Sequence, residues 1–179
     1  MFRVSSSRNT DFSKPLETLK ACHVRIRVEC ENLRKLADCV KDGGCDDAAR
    51  QAAAALMRYF DTAARFHHED EEEDLLPRMM AAATQTRGSR LTRLVAEIAT
   101  EHREMDRIWT ELRAALQEIS AGENLPLDVL SVDRFVKLYF SHITVEESNV
   151  YPLAEMLLSR EDLAQIGAGM AERRGVVVK

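Results

Sequence analysis

Two segments of the sequence carry the same metal-binding types of side chain at the same spacing. The first reads HHEDEEEDLLP and the second reads HITVEESNVYP. Both follow the pattern H-x3-E-E-x4-P, and the second lies 75 residues after the first. The paired positions are His67 with His142, Glu71 with Glu146, Glu72 with Glu147, and Pro77 with Pro152. Because helical residues four apart share a face, each segment offers one imidazole and one carboxylate on a common side.

The apolar positions before the first segment indicate which of its two histidines faces the core. Seven, four and three residues before His67 stand apolar side chains, including Phe60, whereas two of the same offsets from His68 give charged residues. The 3.6-residue period therefore predicts that His67 points inward with Glu71 and that His68 points outward. Pairing of His68 with Glu72 would require a rotation that exposes Phe60. We accordingly expect His68→Ala to lose little metal or stability.

The same test places one inward histidine on each of four helices. These histidines are His23, His67, His102 and His142. His23, for example, continues an unbroken apolar stripe, which consists of Leu16, Leu19, Ile26, Cys30 and Leu33. At about 1.5 Å per residue in antiparallel neighbours, the four histidines fall at similar levels of the bundle. Together with Glu71 and Glu146, they are expected to converge on one point.

Such a convergence indicates a metal site. Two carboxylates buried among apolar side chains are costly unless a positive charge lies nearby, and the sequence places no inward Lys or Arg beside them. Six imidazole and carboxylate ligands exceed what a closed tetrahedral zinc site uses. Two metal ions bridged by the carboxylates fit better, with iron favoured and manganese as an alternative.

The elements that must position these residues are helices. Few glycines and prolines and an abundance of Ala, Leu, Glu and Arg predict an all-α protein. Helices are predicted over about 15–41, over 47–76 with an extension toward Ala83, from Ser89 to about Ile119, and from Leu127 to Leu158. Gly43 and Gly44 are predicted to cap the first helix, Asp46 or Asp47 the second, and Ser159 with Asp162 a short fifth. Short connections favour an antiparallel up-down-up-down four-helix bundle. We expect a flexible N-terminus over 1–11, the bundle over 12–158, and a short C-terminal helix and tail over 159–179.

Composition excludes several other classes of protein. A net charge of −5 without a basic stripe argues against a nucleic-acid partner. The N-terminus lacks an apolar signal region and no run is long enough to span a membrane, so we expect a cytoplasmic protein with no membrane contact. The four cysteines, Cys22, Cys30, Cys39 and Cys45, form no CxxC pair. They are interpreted as reduced thiols, with metal binding as the minor alternative.

These motifs resemble those of the hemerythrin-like, HHE cation-binding family. The resemblance rests on an inward histidine in the first helix, HxxxE in the second, a histidine in the third and HxxxE in the fourth, and it covers about residues 12–158. It implies a four-helix bundle with a non-haem di-iron centre. The ligands that the resemblance implies are His23, His67, Glu71, His102, His142 and Glu146.

One departure from the family bears on function. Oxygen-carrying hemerythrins supply two histidines four apart from the third helix, whereas His102 is flanked at those offsets by Ile98 and Asp106. Asp106 is interpreted as a ligand, as a partner of bound water, or as a solvated side chain. With one imidazole fewer, each metal keeps more open positions, which favours reaction or sensing over O2 carriage.

Three functions therefore remain open at this point. The first is binding or sensing of O2, NO or peroxide, or holding iron, with a protein partner to read any signal. The second is a di-iron enzyme with peroxidase-like activity or a role in iron-centre repair. The third is a structural bundle around a redox-silent metal such as zinc.

The remaining polar and aromatic candidates are given less specialised roles. Glu72 and Glu147 are interpreted as surface acids in preference to groups that orient a ligand. Tyr139 and Trp109 are interpreted as core residues in preference to redox relays. Three further acids of the run are interpreted as solvated: Glu69, Glu73 and Asp74.

Overall fold

The computed structural model describes residues 11–41, 44, 46–83 and 85–176, with backbone only at 85–87. Within those residues the chain is helical and contains no strand, which confirms the all-α prediction. Helix α1 is Pro15–Lys41, α2 spans 47–82, α3 is Gln85–Ala121, α4 spans 129–157, and α5 is Arg160–Arg173. The predicted flexible N-terminus lies almost wholly outside the described residues. No helix in the described part has an apolar stretch sufficient to cross a bilayer.

Helices α2 and α4 are interrupted by π-helical turns. In α2 these are Phe60–Ala64 and Asp70–Leu75, and in α4 the turn is Glu146–Val150. Pro77 and Pro152 each follow a π turn, at the start of the α-helical segments Leu76–Ala82 and Tyr151–Leu157. In a π turn each backbone N–H donates to the carbonyl five residues earlier instead of four. A proline placed directly after it, which has no N–H, therefore disrupts fewer α-helical hydrogen bonds.

Most helix boundaries agree with the sequence prediction, and one does not. α1 has the predicted bounds, and α2 ends at Ala82, within the predicted extension toward Ala83. The segment predicted as a loop before Ser89 is helical, because α3 begins at Gln85. That segment, TQTRGS, contains one glycine, Gly88, and no proline. A single glycine lowers helix stability by only about 1 kcal/mol, which is too little to end the helix here.

The predicted N-caps are present. The carboxylate of Asp46 accepts the backbone N–H of Ala49 at 2.8 Å, and Ser159 with Asp162 forms the predicted capping box before α5. The C-cap prediction for α1 falls partly on Gly43, which lies outside the described residues.

The four long helices form a ring in which α1 contacts α2 and α4, and α3 contacts the same two. α5 packs across α1 and the second π turn of α2. The apolar interior is divided into two clusters, one represented by Leu33, Leu56 and Phe135, the other by Leu19 and Tyr151.

The buried histidines lie between the two apolar clusters. His23 stands between Leu19 of one cluster and Ile26 of the other, and His102 stands between Ile98 and Met105 in the same way. All six members of the predicted α1 stripe are buried, including His23. A polar layer therefore crosses the middle of an otherwise apolar core.

Candidate metal centre

The structure brings all six predicted site residues into this polar layer. His23, His67, Glu71, His102, His142 and Glu146 are each at most 2% exposed. They form two overlapping groups whose ligand atoms lie within 4.8 Å of one another. One group is His23, His67, Glu71 and Glu146, and the other is Glu71, His102, His142 and Glu146. The two carboxylates belong to both groups, so the layer contains two adjacent positions with shared acids.

The two oxygens of each shared carboxylate point to different groups. For Glu146, Oε2 lies 3.0 Å from Nε2 of His23, and Oε1 lies 3.0 Å from Nε2 of His142. For Glu71, Oε1 lies 3.6 Å from Nε2 of His67, and Oε2 lies 3.6 Å from Nε2 of His102. This is the arrangement in which a carboxylate can bridge two cations.

Several polar atoms of the layer have no hydrogen-bond partner within the described chain. Such buried atoms include both ring nitrogens of His67, Nε2 of His68 and Oε2 of Glu71. A buried, unpaired nitrogen or oxygen lone pair costs free energy in a protein interior unless something positive meets it. The donor set therefore fits divalent cations, because imidazole nitrogens and carboxylate oxygens together suit iron, manganese or zinc.

Burial and close neighbours divide the protons of the metal-free centre unequally. Burial and the charge of Glu146 raise the pKa of Glu71 well above its usual range. Burial also opposes ionisation of Glu146, but the close approach of His142 and His23 holds its pKa well below the usual range. For His142, burial is outweighed by Glu101 and Glu146, which raise its pKa to about 9. In the metal-free centre, the raised pKa values therefore favour protons on Glu71 and His142.

Three carboxylates outside the layer hold the histidine rings in place. Nδ1–H of His23 donates to Glu147 at 3.0 Å, that of His102 donates to Glu72 at 2.6 Å, and that of His142 donates to Glu101 at 2.7 Å. A proton fixed at Nδ1 leaves Nε2 free to bind a cation in the neutral ring. Glu72 is exposed, as predicted, but the preference for a surface role over an orienting role was wrong for both Glu72 and Glu147.

Sequence reasoning missed Glu101 for a physical reason. Its partner His142 is 41 residues away on another helix, and nothing in the local sequence pattern of α3 distinguishes Glu101 from the other acids of that helix.

The outward orientation predicted for His68 was also wrong. His68 is only 8% exposed, and its ring stacks on His102 with centroids 3.9 Å apart. The π turn Phe60–Ala64 lies between Phe60 and the histidines and shifts the helical register, so Phe60 and both histidines are buried together. A constant 3.6-residue period does not anticipate this shift.

Tyr151 is a second residue that the sequence pattern missed. It is fully buried, and its hydroxyl donates to Oε1 of Glu71 at 2.8 Å while lying 3.0 Å from Nε2 of His23. Its ring also stacks on that of His23, with centroids 5.4 Å apart. The only sequence signal was its place directly before Pro152 in the second repeat.

The acidic run in α2 is satisfied on its other side by α5. Asp70 is fully buried and is bound by Arg173 and by Arg174, whose Nη2 lies 2.6 Å from Oδ2. Arg173 also contacts three further acids: Glu69, Glu73 and Asp74. Glu73 is exposed, as predicted, but Glu69 and Asp74 are half-buried, and the solvated interpretation was wrong for them. Arg173, which contacts all three acids, is distant from them in sequence.

The remaining candidates lie outside the ligand groups. Asp106 is exposed and belongs to none of the clusters formed by the described residues. Tyr139 and Trp109 pack in the apolar cluster that contains Phe135, as predicted, and Nε1–H of Trp109 donates to Asp61 at 2.9 Å. Among the described cysteines, none joins a ligand group.

A helical bundle with a buried layer of histidines and shared carboxylates defines a class of cation-binding proteins. The chain matches the model of the hemerythrin HHE cation-binding domain over residues 14–154. It is also 32% identical over 168 residues to an uncharacterized protein of Haemophilus influenzae, covering 92% of each chain. The protein belongs to the hemerythrin HHE cation-binding domain family, which confirms the resemblance seen in the sequence.

Proposed function

We propose that this protein holds two iron ions in a carboxylate-bridged centre and binds or responds to O2, NO or peroxide, or holds iron. The proposed ligands are His23, His67, Glu71, His102, His142 and Glu146. The observation that carries the proposal is the placement of Glu71 and Glu146, each with one oxygen toward the histidines of each group.

The proposed bundle is antiparallel, with an up-down-up-down course. The short connections between Lys41 and Asp47 and between Ala121 and Val129 support it, because such lengths join adjacent antiparallel helices. So does the ring of contacts among the four helices. Each helix then delivers its histidine at one level of the core.

The chain's own residues have separable tasks in this centre. The imidazoles bind through Nε2, and Glu72, Glu101 and Glu147 keep the Nδ1 protons in place. The two apolar clusters on either side keep bulk water from the layer. When bound, an iron pair supplies redox change and positions open to a small ligand. Tyr151 places a hydroxyl donor at the edge of the His23 position.

Iron is proposed over manganese and zinc because the mixed ligand set leaves positions open and includes no thiolate. A cytoplasmic location and a protein partner for any sensing role stay predictions. One measurement distinguishes this proposal from the two alternatives, a di-iron enzyme and a structural bundle around a redox-silent metal.

That measurement is metal content with an optical spectrum, on full-length protein purified without added metal, before and after exposure to air. About two irons per chain, with a near-ultraviolet band that responds to O2, NO or peroxide, would support the proposal. Catalytic removal of peroxide over many turnovers would favour the enzyme. Colourless zinc, or a stable fold without metal, would replace the proposal with the structural reading.

A further inference from the structure

We propose that His68 is a metal ligand of the His102 and His142 position, supplying from α2 the imidazole that α3 lacks. The inference rests on the proposed two-metal centre and adds a ligand to it. Ligand atoms of His68, His102 and His142 lie within 4.8 Å of one another, and all three side chains are buried.

The free nitrogen of His68 is the first argument. Its Nε2 is buried and has no hydrogen-bond partner within the described chain. A histidine retained only for packing normally satisfies its ring nitrogens, because a buried nitrogen without a partner is destabilising. A cation at the neighbouring position would remove that cost.

The equivalent position of the second repeat is the next argument. Residue 143 stands where residue 68 stands in the first repeat, and it is a fully buried isoleucine. An aliphatic side chain thus satisfies the packing at this place in α4. In α2 the same place carries an imidazole, stacked on His102 with an angle of 12° between the rings.

The backbone of α2 provides the means to bury two successive histidines. The α-helical segment Arg65–Glu69 is only one turn long and is enclosed by the π turns Phe60–Ala64 and Asp70–Leu75. Each π turn inserts a residue into the helix, and such insertions are frequent at functional sites. His67 thereby faces the His23 group while His68 faces His102.

The consequence is a centre with two unequal positions. The His102 position would have three imidazoles, whereas the His23 position would have two and the hydroxyl of Tyr151 beside it. The sequence predicted that each metal keeps additional open coordination positions. With His68 as a ligand, that prediction applies only to the metal at the His23 position. A small external ligand would then meet its open position beside His23.

The test begins with wild-type protein loaded with Co²⁺. Metal content gives the number of ions, and X-ray absorption with hyperfine-shifted imidazole N–H resonances gives the number of bound rings. Five bound imidazoles on two ions would support the inference, and four would overturn it. This count needs no variant and therefore does not depend on a variant folding.

Two variants extend the test. His68→Ile copies the second repeat, and we expect it to weaken the second Co²⁺ at least about 100-fold, because loss of an outer partner alone costs about 10–100-fold. His68→Ala opens a space, and added imidazole should restore the second ion. Tyr139→Phe is the matched control. The ring centroids of Tyr139 and His68 are 5.7 Å apart, but Tyr139 belongs to none of the ligand groups, so the variant should keep both ions.

The outcomes separate the two proposals. If the wild-type protein binds no pair of ions, the proposed centre fails. If it binds a pair, and His68→Ile retains both with unchanged affinity and spectrum, the centre stands and the inference about His68 is wrong. Circular dichroism of the metal-free variants shows whether a lost ion reflects a lost fold.

Discussion

The two repeated segments of α2 and α4 use the same structural device. In each, a histidine and a glutamate four residues later face the core, a π turn begins at or just before that glutamate, and a proline follows the turn. The next glutamate in each, Glu72 or Glu147, fixes the ring of a histidine on another helix. One local design thus serves both sides of the centre.

Three of the positions at which the repeats differ change the chemistry around them. His68 corresponds to Ile143, Leu76 to Tyr151, and Asp70 to Val145. The first repeat therefore adds an imidazole near His102, while the second adds a hydroxyl near His23. Asp70 also ties the first repeat to α5, whereas the second has no such carboxylate at its equivalent position. Two similar helical segments thus form two chemically different halves of the centre.

The largest expected effect comes from the carboxylates that both halves share. Glu71→Gln and Glu146→Gln should each lose both metals, since each acid serves both positions. In metal-free protein they should differ. Glu146→Gln removes a buried carboxylate that faces both His23 and His142, leaving His142 only Glu101, and should cost about 3 kcal/mol, whereas burial already favours the neutral form of Glu71, so its change should cost less than about 1 kcal/mol.

Metal analysis and denaturant unfolding of metal-free protein would check this contrast. Equal destabilisation by the two substitutions would show that the charge is shared evenly between the halves.

A second experiment removes the contact that only the first repeat makes. Arg173→Ala with Arg174→Ala leaves Asp70 buried without a cation and should cost about 3–5 kcal/mol. Adding Asp70→Val, which copies Val145, should recover most of that loss, because the unpaired charge is then gone. Urea midpoints of wild-type, double and triple variants provide the measurement. A triple variant no more stable than the double would mean that α5 is held mainly by apolar packing.

The pH dependence of stability should reveal which repeat holds a proton. The pKa of His142 is about 9 in the folded chain against 6.5 as its ordinary value, so its stabilisation is complete below about pH 6.5 and is lost as pH rises through 9. The size is about 3 kcal/mol. The raised pKa of Glu71 acts in the same direction, because neutral Glu71 is lost as pH rises.

The histidine of the first repeat should not contribute to this upper window. Burial lowers the pKa of His67 well below its usual range, so its titration changes stability only below about pH 6.5. Melting temperatures of metal-free protein from pH 6 to 10 should therefore fall for wild type and His67→Gln, and fall less steeply for His142→Gln. Metal-loaded protein should show little of this slope, since binding has already displaced the protons.

The smallest expected effect concerns the hydroxyl that distinguishes the second repeat. Tyr151→Phe removes one buried hydrogen bond to Glu71 and should cost about 1 kcal/mol while keeping both metals. Metal content and a denaturation curve are sufficient to test it. Loss of one metal would assign Tyr151 to the ligands and make the His23 half less open than described.

Much of the fold followed from local chemistry. The bounds of α1, the Asp46 cap and the Ser159 capping box were predicted because each depends on residues a few positions apart. The inward faces of His23 and His142 were likewise predicted from unbroken apolar spacing.

The errors cluster where local rules do not apply. His68 was misplaced because two π turns shift the register of α2. Glu101 was missed, and the orienting role of Glu72 and Glu147 was not preferred, because each of these acids pairs with a histidine on a different helix. The run of acids was misread for the same reason, since Arg173 lies about 100 residues away.

The sequence alone determined that four helices each bring a histidine to one level and that two of them add a glutamate one turn later. Periodicity is a property of a single helix and is legible in its residues. Only the tertiary structure decided which nitrogen each ring turns inward, that His68 joins the layer, and that Tyr151 stands beside His23. Those features depend on contacts between helices and on a backbone shift, and neither is encoded at a fixed spacing along the chain.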